Sequence, residues 1–130
     1  MNELLKKMNF KNQDRLLVLN APEEFEPHLA AFAEFLEVIR EPEHGERYPF
    51  VLTFTRNAEE VKQLTPLAGE HIAPEGLFWF AYPKGTSKKY KKPDISRDHG
   101  WEPVKELGFE GVRLIAIDDD WSCMRYREAK

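Results

Sequence analysis

Gly76-Leu-Phe-Trp-Phe-Ala-Tyr-Pro-Lys-Gly85 is the stretch on which the fold turns. In an extended strand Phe78, Phe80 and Tyr82 project to one side and Leu77, Trp79 and Ala81 to the other, so both faces are apolar. That composition suits a strand packed above and below, in the interior of a sheet. Pro74-Glu75-Gly76 supplies turn chemistry in front of it and Pro83-Lys84-Gly85 behind, since proline donates no ladder hydrogen bond and glycine lets the chain turn away. The reading is a central strand over 76–83 with a lysine-rich segment leaving its end.

Upstream, Asn57 is placed to cap a helix, with Glu60 as the reciprocal partner of a capping box and Val61, Leu64, Ala68 and Ile72 as its buried stripe. Pro66 is expected to kink that helix or restart it with Thr65 as a new cap. Before it, Pro49-Phe-Val-Leu-Thr-Phe-Thr55 reads as a strand, and so does Arg15-Leu-Leu-Val-Leu-Asn20. Between these two strands, Leu29, Phe32, Leu36 and Ile39 recur at helical spacing, which predicts a crossover helix over 26–39. Leu4, Leu5 and Met8 mark a short N-terminal helix.

Downstream, 86–95 is polar and reads as a loop. Trp101, Val104 and Leu107 mark a third helix that Gly108 ends, with Ser96 or Asp98 as its cap. Val112-Arg-Leu-Ile-Ala-Ile117 and Trp121-Ser-Cys-Met-Arg-Tyr126 flank Asp118-Asp-Asp120, and a turn that short joins antiparallel neighbours. The predicted fold is therefore an α/β domain spanning residues 1–130, with a five-stranded sheet: three parallel strands plus an antiparallel C-terminal hairpin, order 1-2-3-5-4. Right-handed crossovers in that order would put all three connecting helices on one face, leaving the other to the N-terminal helix. Part of that second face is then expected to be buried in a homodimer.

The chain has 130 residues, enough for one core, with a hydrophobic fraction of 42% that argues against disorder. Its net charge of −4, from 23 acidic and 19 basic residues, gives no general attraction to nucleic acid or anionic lipid. A single cysteine, Cys123, excludes an internal disulfide and a paired-cysteine zinc site, and suits a reducing cytoplasm. No apolar run is long enough to cross a membrane and the N-terminus lacks a leader pattern, so the expected setting is cytoplasmic and unexported, without a membrane partner.

Four pieces, Arg15-Leu-Leu-Val-Leu-Asn-Ala-Pro-Glu23, Trp79-Phe-Ala-Tyr-Pro-Lys84, Ser96-Arg-Asp98 and Ile117-Asp-Asp-Asp-Trp-Ser122 followed by Met124-Arg-Tyr126, resemble in order and spacing a family of short bacterial α/β proteins of unknown function, over residues 3–127. That resemblance implies a fold and no activity. More loosely, the succession of strand, helix, strand and closing hairpin is similar to the later half of Rossmann-like methyltransferases, a likeness of architecture.

Doubly wound proteins hold nucleotides over the turn after the first strand, where glycines admit a phosphate to the backbone. Here that turn, Asn20-Ala-Pro-Glu-Glu-Phe-Glu26, has no glycine and three carboxylates, which repel phosphate. An adenosylmethionine site needs no phosphate cradle, although the missing glycine counts against it too. Lys84-Gly-Thr-Ser-Lys-Lys-Tyr-Lys-Lys92 is the one basic cluster, and its plain reading is a solvated loop pairing loosely with Glu23, Glu24 and Glu26. Asp118-Asp-Asp120 reads as a turn rather than a cation site, and the scattered His28, His44, His71 and His99 form no metal frame. Cys123 reads as a buried hydrophobe, Ser87 and Ser122 lack a nucleophile setting, and Trp121 beside Arg125 is a candidate exposed stacking surface.

The leading expectation is a small non-catalytic module that binds a partner or itself, with no cofactor, no metal and no catalytic residues. The alternative is an enzyme or sensor for an anionic small molecule, nucleotide-like or adenosylmethionine-like, at the carboxyl edge of the parallel strands. Its candidate residues are Asn20, Glu23, Thr55, Arg56, Lys84, Thr86, Ser87, Lys88 and Arg97. A weak nucleic-acid contact through the lysine loop is the third reading.

Overall fold

A computed structural model describes residues 2–129. A mixed sheet runs through it, with strands β1 (Arg15–Leu19), β2 (Glu37–Ile39), β3 (Tyr48–Phe54), β4 (Ile72–Pro83), β5 (Phe109–Ala116) and β6 (Trp121–Glu128). Its order is β2-β1-β3-β4-β6-β5. The first four strands are parallel, and β6 pairs antiparallel with both β4 and β5. Four short helices complete it: α1 (Glu3–Lys7), α2 (Glu26–Phe32), α3 (Ala58–His71) and α4 (Glu102–Glu106).

The central strand is interior, between β3 and β6, and Leu77 to Pro83 are buried throughout. Its start differs from expectation. β4 begins at Ile72, directly after α3, and Pro74-Glu75-Gly76 forms an irregularity inside it: Tyr48 faces Ile72, but Phe50 already faces Leu77. Gly76 is required there, because a Cβ would lie 3.1 Å from the Pro49 carbonyl and 3.0 Å from that of Ala73.

Two further expectations fail together. The helix predicted over 26–39 ends at Phe32, and Glu37-Val-Ile39 forms a sixth strand, β2, paired parallel with β1 at the sheet border. Leu36 and Ile39 continue the helical spacing by coincidence; β-branched Val38 and Ile39 favour the ladder that β1 offers. The order 1-2-3-5-4 survives with one strand added outside the first. That addition reverses the winding: β1 to β2 moves one way across the sheet and β3 to β4 the other, so right-handed crossovers put α2 and α3 on opposite faces.

The two cores bear this out. One face packs Leu4, Leu5 and Met8 of α1 with Leu29 and Phe32 of α2 against Leu16, Val18, Phe50, Leu52, Phe54, Leu77 and Trp79. The other packs Val61 and Ala68 of α3 and Val104 of α4 against Val51, Phe78, Phe80 and Tyr126. The expected placement of all connecting helices on one face is thus overturned, and with it the bare face proposed for a homodimer: α2 joins α1 in covering it. Trp79 Nε1 donates to the Met8 carbonyl at 3.2 Å, fastening α1 to the sheet.

Local details follow chemistry. Asn57 Oδ1 caps α3 by accepting from Glu60 N at 2.9 Å, but the Glu60 carboxylate accepts from Arg56 N rather than from Asn57. α3 runs unbroken through Pro66, and the Thr65 hydroxyl donates to the Val61 carbonyl instead of capping a new helix. Neither Ser96 nor Asp98 caps α4, which starts at Glu102 behind Trp101; Ser96 and His99 instead exchange backbone hydrogen bonds. Gly108 ends the helix at φ +95°, as a C′ glycine does. No helix among the described residues is long and apolar enough to cross a membrane.

Candidate functional site

All four parallel strands end on one edge, and where successive crossovers depart in opposite directions a crevice forms outside the carboxyl ends. Here that switch point lies between β1 and β3, at Asn20 and Thr55. It became visible only with β2.

Asn20 follows β1 with φ 60°, the left-handed conformation that asparagine tolerates better than most residues. It supplies the sharp turn a glycine would otherwise provide. Its amide donates to the Phe54 carbonyl at 3.0 Å and to Glu60 Oε1 at 3.2 Å, tying the end of β1 to the start of α3. Arg56 grips the same carboxylate through Nη2 at 2.7 Å and Nε at 3.1 Å. Burial alone raises the Glu60 carboxyl, but the hydrogen bonds from Arg56 and Asn20 outweigh it and hold the group below its usual range, so it stays ionised. Thr55 is buried and donates to the Ala81 carbonyl at 2.9 Å; it ties β3 to β4 and does not reach solvent.

Over this edge passes the strap 84–95. Tyr90 packs on the first core and Ile95 is buried in the second, so the segment crosses from one face of the sheet to the other above the strand ends. It is pinned at Glu24, whose carboxylate accepts from the Tyr90 hydroxyl and from Trp121 Nε1 at 3.2 Å, with Lys89 Nζ at 3.4 Å. Tyr90 also stands edge-on to Trp121, with ring centroids 5.0 Å apart. Burial pushes the Glu24 carboxyl up, yet the Tyr90 and Trp121 hydrogen bonds together leave it below its ordinary value. Burial, then the bond to Glu24, pushes the Tyr90 hydroxyl up to about 12. Asp94 adds a second pin by accepting from Ala58 N at 2.7 Å.

The candidate residues therefore divide. Asn20 and Arg56 converge with Glu60 at the switch point, while Glu23 is exposed beside it on the short 3-10 turn Glu23–Phe25 that also carries Glu24. Lys84, Thr86 and Lys88 line an open hollow of about 460 Å³ with Asp119 and Asp120, and Ser87 Oγ donates to Asp120 Oδ1 at 2.8 Å. Arg97 lies apart, in a groove beside β5. Of the expected lysine pairings only Lys89 with Glu24 is present among the described residues; Glu26 is held by Arg40 at 2.7 Å. Asp118 Oδ1 accepts from Asp120 N and Trp121 N, as a turn aspartate does. Trp121 is buried, which removes it as an exposed stacking surface, and Cys123 is buried with its thiol pushed well up by desolvation. Reasoning from sequence did not select Glu24, Glu60, Tyr90 or Trp121 as one cluster. Glu24 and Tyr90 stand 66 positions apart, and no local pattern joins them.

No protein-family model matches this chain, and no curated protein does. Solved structures match in fold. The N-methyltransferase NodS from Bradyrhizobium japonicum WM9 aligns with TM-score 0.58 at 9% identity, covering 98% of this chain and 93% of that one. Aeropyrum pernix fibrillarin, solved with natively bound S-adenosyl-L-methionine, gives 0.55 at 12% identity over 89% and 67%. A protein of the NADB-Rossmann superfamily from Streptococcus agalactiae gives 0.52 at 9% identity over 99% and 69%. At such identities the likeness is one of architecture: this chain has a Rossmann-like α/β fold.

Proposed function

We propose that this protein binds an adenosylmethionine-like small molecule at the switch point between β1 and β3. The observation that carries the reading is the reversal of winding there, which brings Asn20, Arg56 and Glu60 together outside the strand ends. The chemistry of these donors suits such a ligand better than a phosphorylated one. An adenosyl sulfonium carries ribose hydroxyls that an ionised carboxylate and an amide can hold, a cationic centre that Glu24 favours, and a carboxylate that Arg56 can meet. Phosphate would face two ionised carboxylates, Glu24 and Glu60. The left-handed turn at Asn20 answers the objection that no glycine follows β1. When bound, the ligand's sulfonium would offer a transferable methyl group; the reading itself is one of binding. Solved proteins of this architecture include methyltransferases and one described with bound S-adenosyl-L-methionine, which supports the reading.

Entry requires the strap to leave Glu24, because Tyr90 and Trp121 fill that side of the edge. Its pins are part-exposed polar contacts, individually weak. The test is a thermal-shift titration with S-adenosylmethionine, S-adenosylhomocysteine and ATP. The two adenosyl compounds are expected to raise Tm, by the equivalent of about 2.7 kcal/mol at a hundred times Kd, with little effect of ATP. Glu60→Gln should weaken the shift. No response to either adenosyl compound at millimolar concentration overturns the reading. The filled edge would then favour the second one, a non-catalytic module acting through its surface.

A further inference from the structure

β5 forms the sheet border opposite β2, and its outer rim has no strand against it among the described residues. Three of the five large hydrophobics exposed in the described residues lie on or beside it: Leu107 at 49%, Val112 at 37% and Leu114 at 42%. The ladder with β6 shows which backbone groups point outward. Ala129 N donates to the Gly108 carbonyl at 2.7 Å and Ile117 N to the Trp121 carbonyl at 2.9 Å. In an antiparallel pair, residues alternate between those bonded to the neighbour and those facing away. Counting inward from both ends, with the register shift between Gly111 and Arg113, assigns Phe109, Gly111, Leu114 and Ala116 to the outward set.

Side-chain faces follow the same alternation. Phe109 stacks edge-on with Phe78 and Leu114 sits opposite Met124, both on the α3 and α4 face. Glu110 lies 3.9 Å from its cross-strand neighbour Arg127, and Arg113 Nε reaches the Lys7 carbonyl of α1, so these two charges share the opposite face.

From this we infer that a second copy of the chain pairs along β5, antiparallel, in the register that sets Phe109 opposite Leu114 and Glu110 opposite Arg113. The charges select that register, and the alternation of backbone groups and of side-chain faces is compatible with it. Phe109 and Leu114 both present outward backbone groups, so they form a bonded pair. Glu110 and Arg113 fall at a non-bonded position, where side chains approach most closely, and their charges are complementary. Residues that face one another lie on the same side of the joined sheet. A slip of two positions sets Glu110 against Ile115 and Arg113 against Val112, losing both charge pairs. The charges and the bulge that guard this border against indiscriminate pairing thus admit one self-complementary partner. The switch point lies at the carboxyl ends of the parallel strands and the β5 rim at a lateral border, so the assembly does not depend on ligand binding.

The test is sedimentation of the full chain from micromolar to several hundred micromolar. A dimer is expected. Glu110→Arg and Arg113→Glu should each raise its dissociation constant at least tenfold, and the double reversal E110R/R113E should restore it. Leu114→Lys, at an exposed position, should also abolish it. In the wild type, amide exchange at Phe109, Gly111 and Leu114 should slow as concentration rises. A chain that stays monomeric throughout, or a dimer indifferent to the single reversals, overturns the proposal.

Discussion

Thr53 illustrates how one atom sits at odds with its surroundings. It lies in β3 between β1 and β4, fully buried, and its hydroxyl has no hydrogen-bond partner among the described residues. A buried unsatisfied polar group costs about 1–3 kcal/mol relative to its solvated state. Thr53→Val keeps the shape and removes the hydroxyl, so it should leave stability unchanged or raise it by about 1 kcal/mol. Urea unfolding midpoints measure this, and a loss of more than about 1 kcal/mol would mean the hydroxyl has a partner in solution. The contrast with Thr55 is instructive: two positions on, the same side chain donates to the Ala81 carbonyl and fastens two strands. That β3 is a strand was legible from sequence; which threonine finds an acceptor was not.

Among the elements, the strap 84–95 is the one whose attachment titrates. The Tyr90 hydroxyl is raised to about 12, so its contribution is complete below its unfolded value near 10 and fades as pH climbs through 12. The Glu24 carboxyl is lowered, so its contribution is complete above the ordinary carboxylate range and fades as pH falls through its folded value. The latch is therefore whole from mildly acidic to mildly alkaline conditions. Tryptophan emission should report its opening at both extremes, since Trp121 contacts both groups while Trp79 and Trp101 are buried elsewhere. In Tyr90→Phe the alkaline change near 12 should vanish, and adenosyl ligands should bind more tightly because the strap opens at lower cost. An unchanged alkaline transition would show that the emission tracks another group. The lysine loop, the acidic turn after β1 and a loose pairing between them were apparent in the sequence; the bonds of Tyr90 and Trp121 to Glu24, which join segments far apart in the chain, were not.

At the scale of the whole molecule, two cores share one sheet and differ in how they are closed. α1 covers the first core with Leu4, Leu5 and Met8 and receives the Trp79 indole N–H. Removing residues 1–9 would delete the three side chains of α1 that are buried in the first core, each worth about 1.5–3 kcal/mol, uncover the sheet face beneath them and strand the Trp79 donor. The truncated chain is expected to lose several kcal/mol and bind a hydrophobic dye, whereas retained stability would mean α2 closes that face alone. Much of this architecture is readable from local pattern. A doubly apolar run between two turns is an interior strand, a short aspartate turn forces an antiparallel hairpin, and Asn57 begins a helix, because each depends on neighbours in sequence. By itself the sequence determined these elements and the order of five strands. Only the tertiary structure decided that Glu37-Val-Ile39 joins the border, for three residues have too little periodicity to announce a strand and are ordered by the ladder β1 offers. The winding reverses because of that strand, so the faces of the helices, the switch point and the cluster above it are consequences of distant contacts that no local stretch encodes.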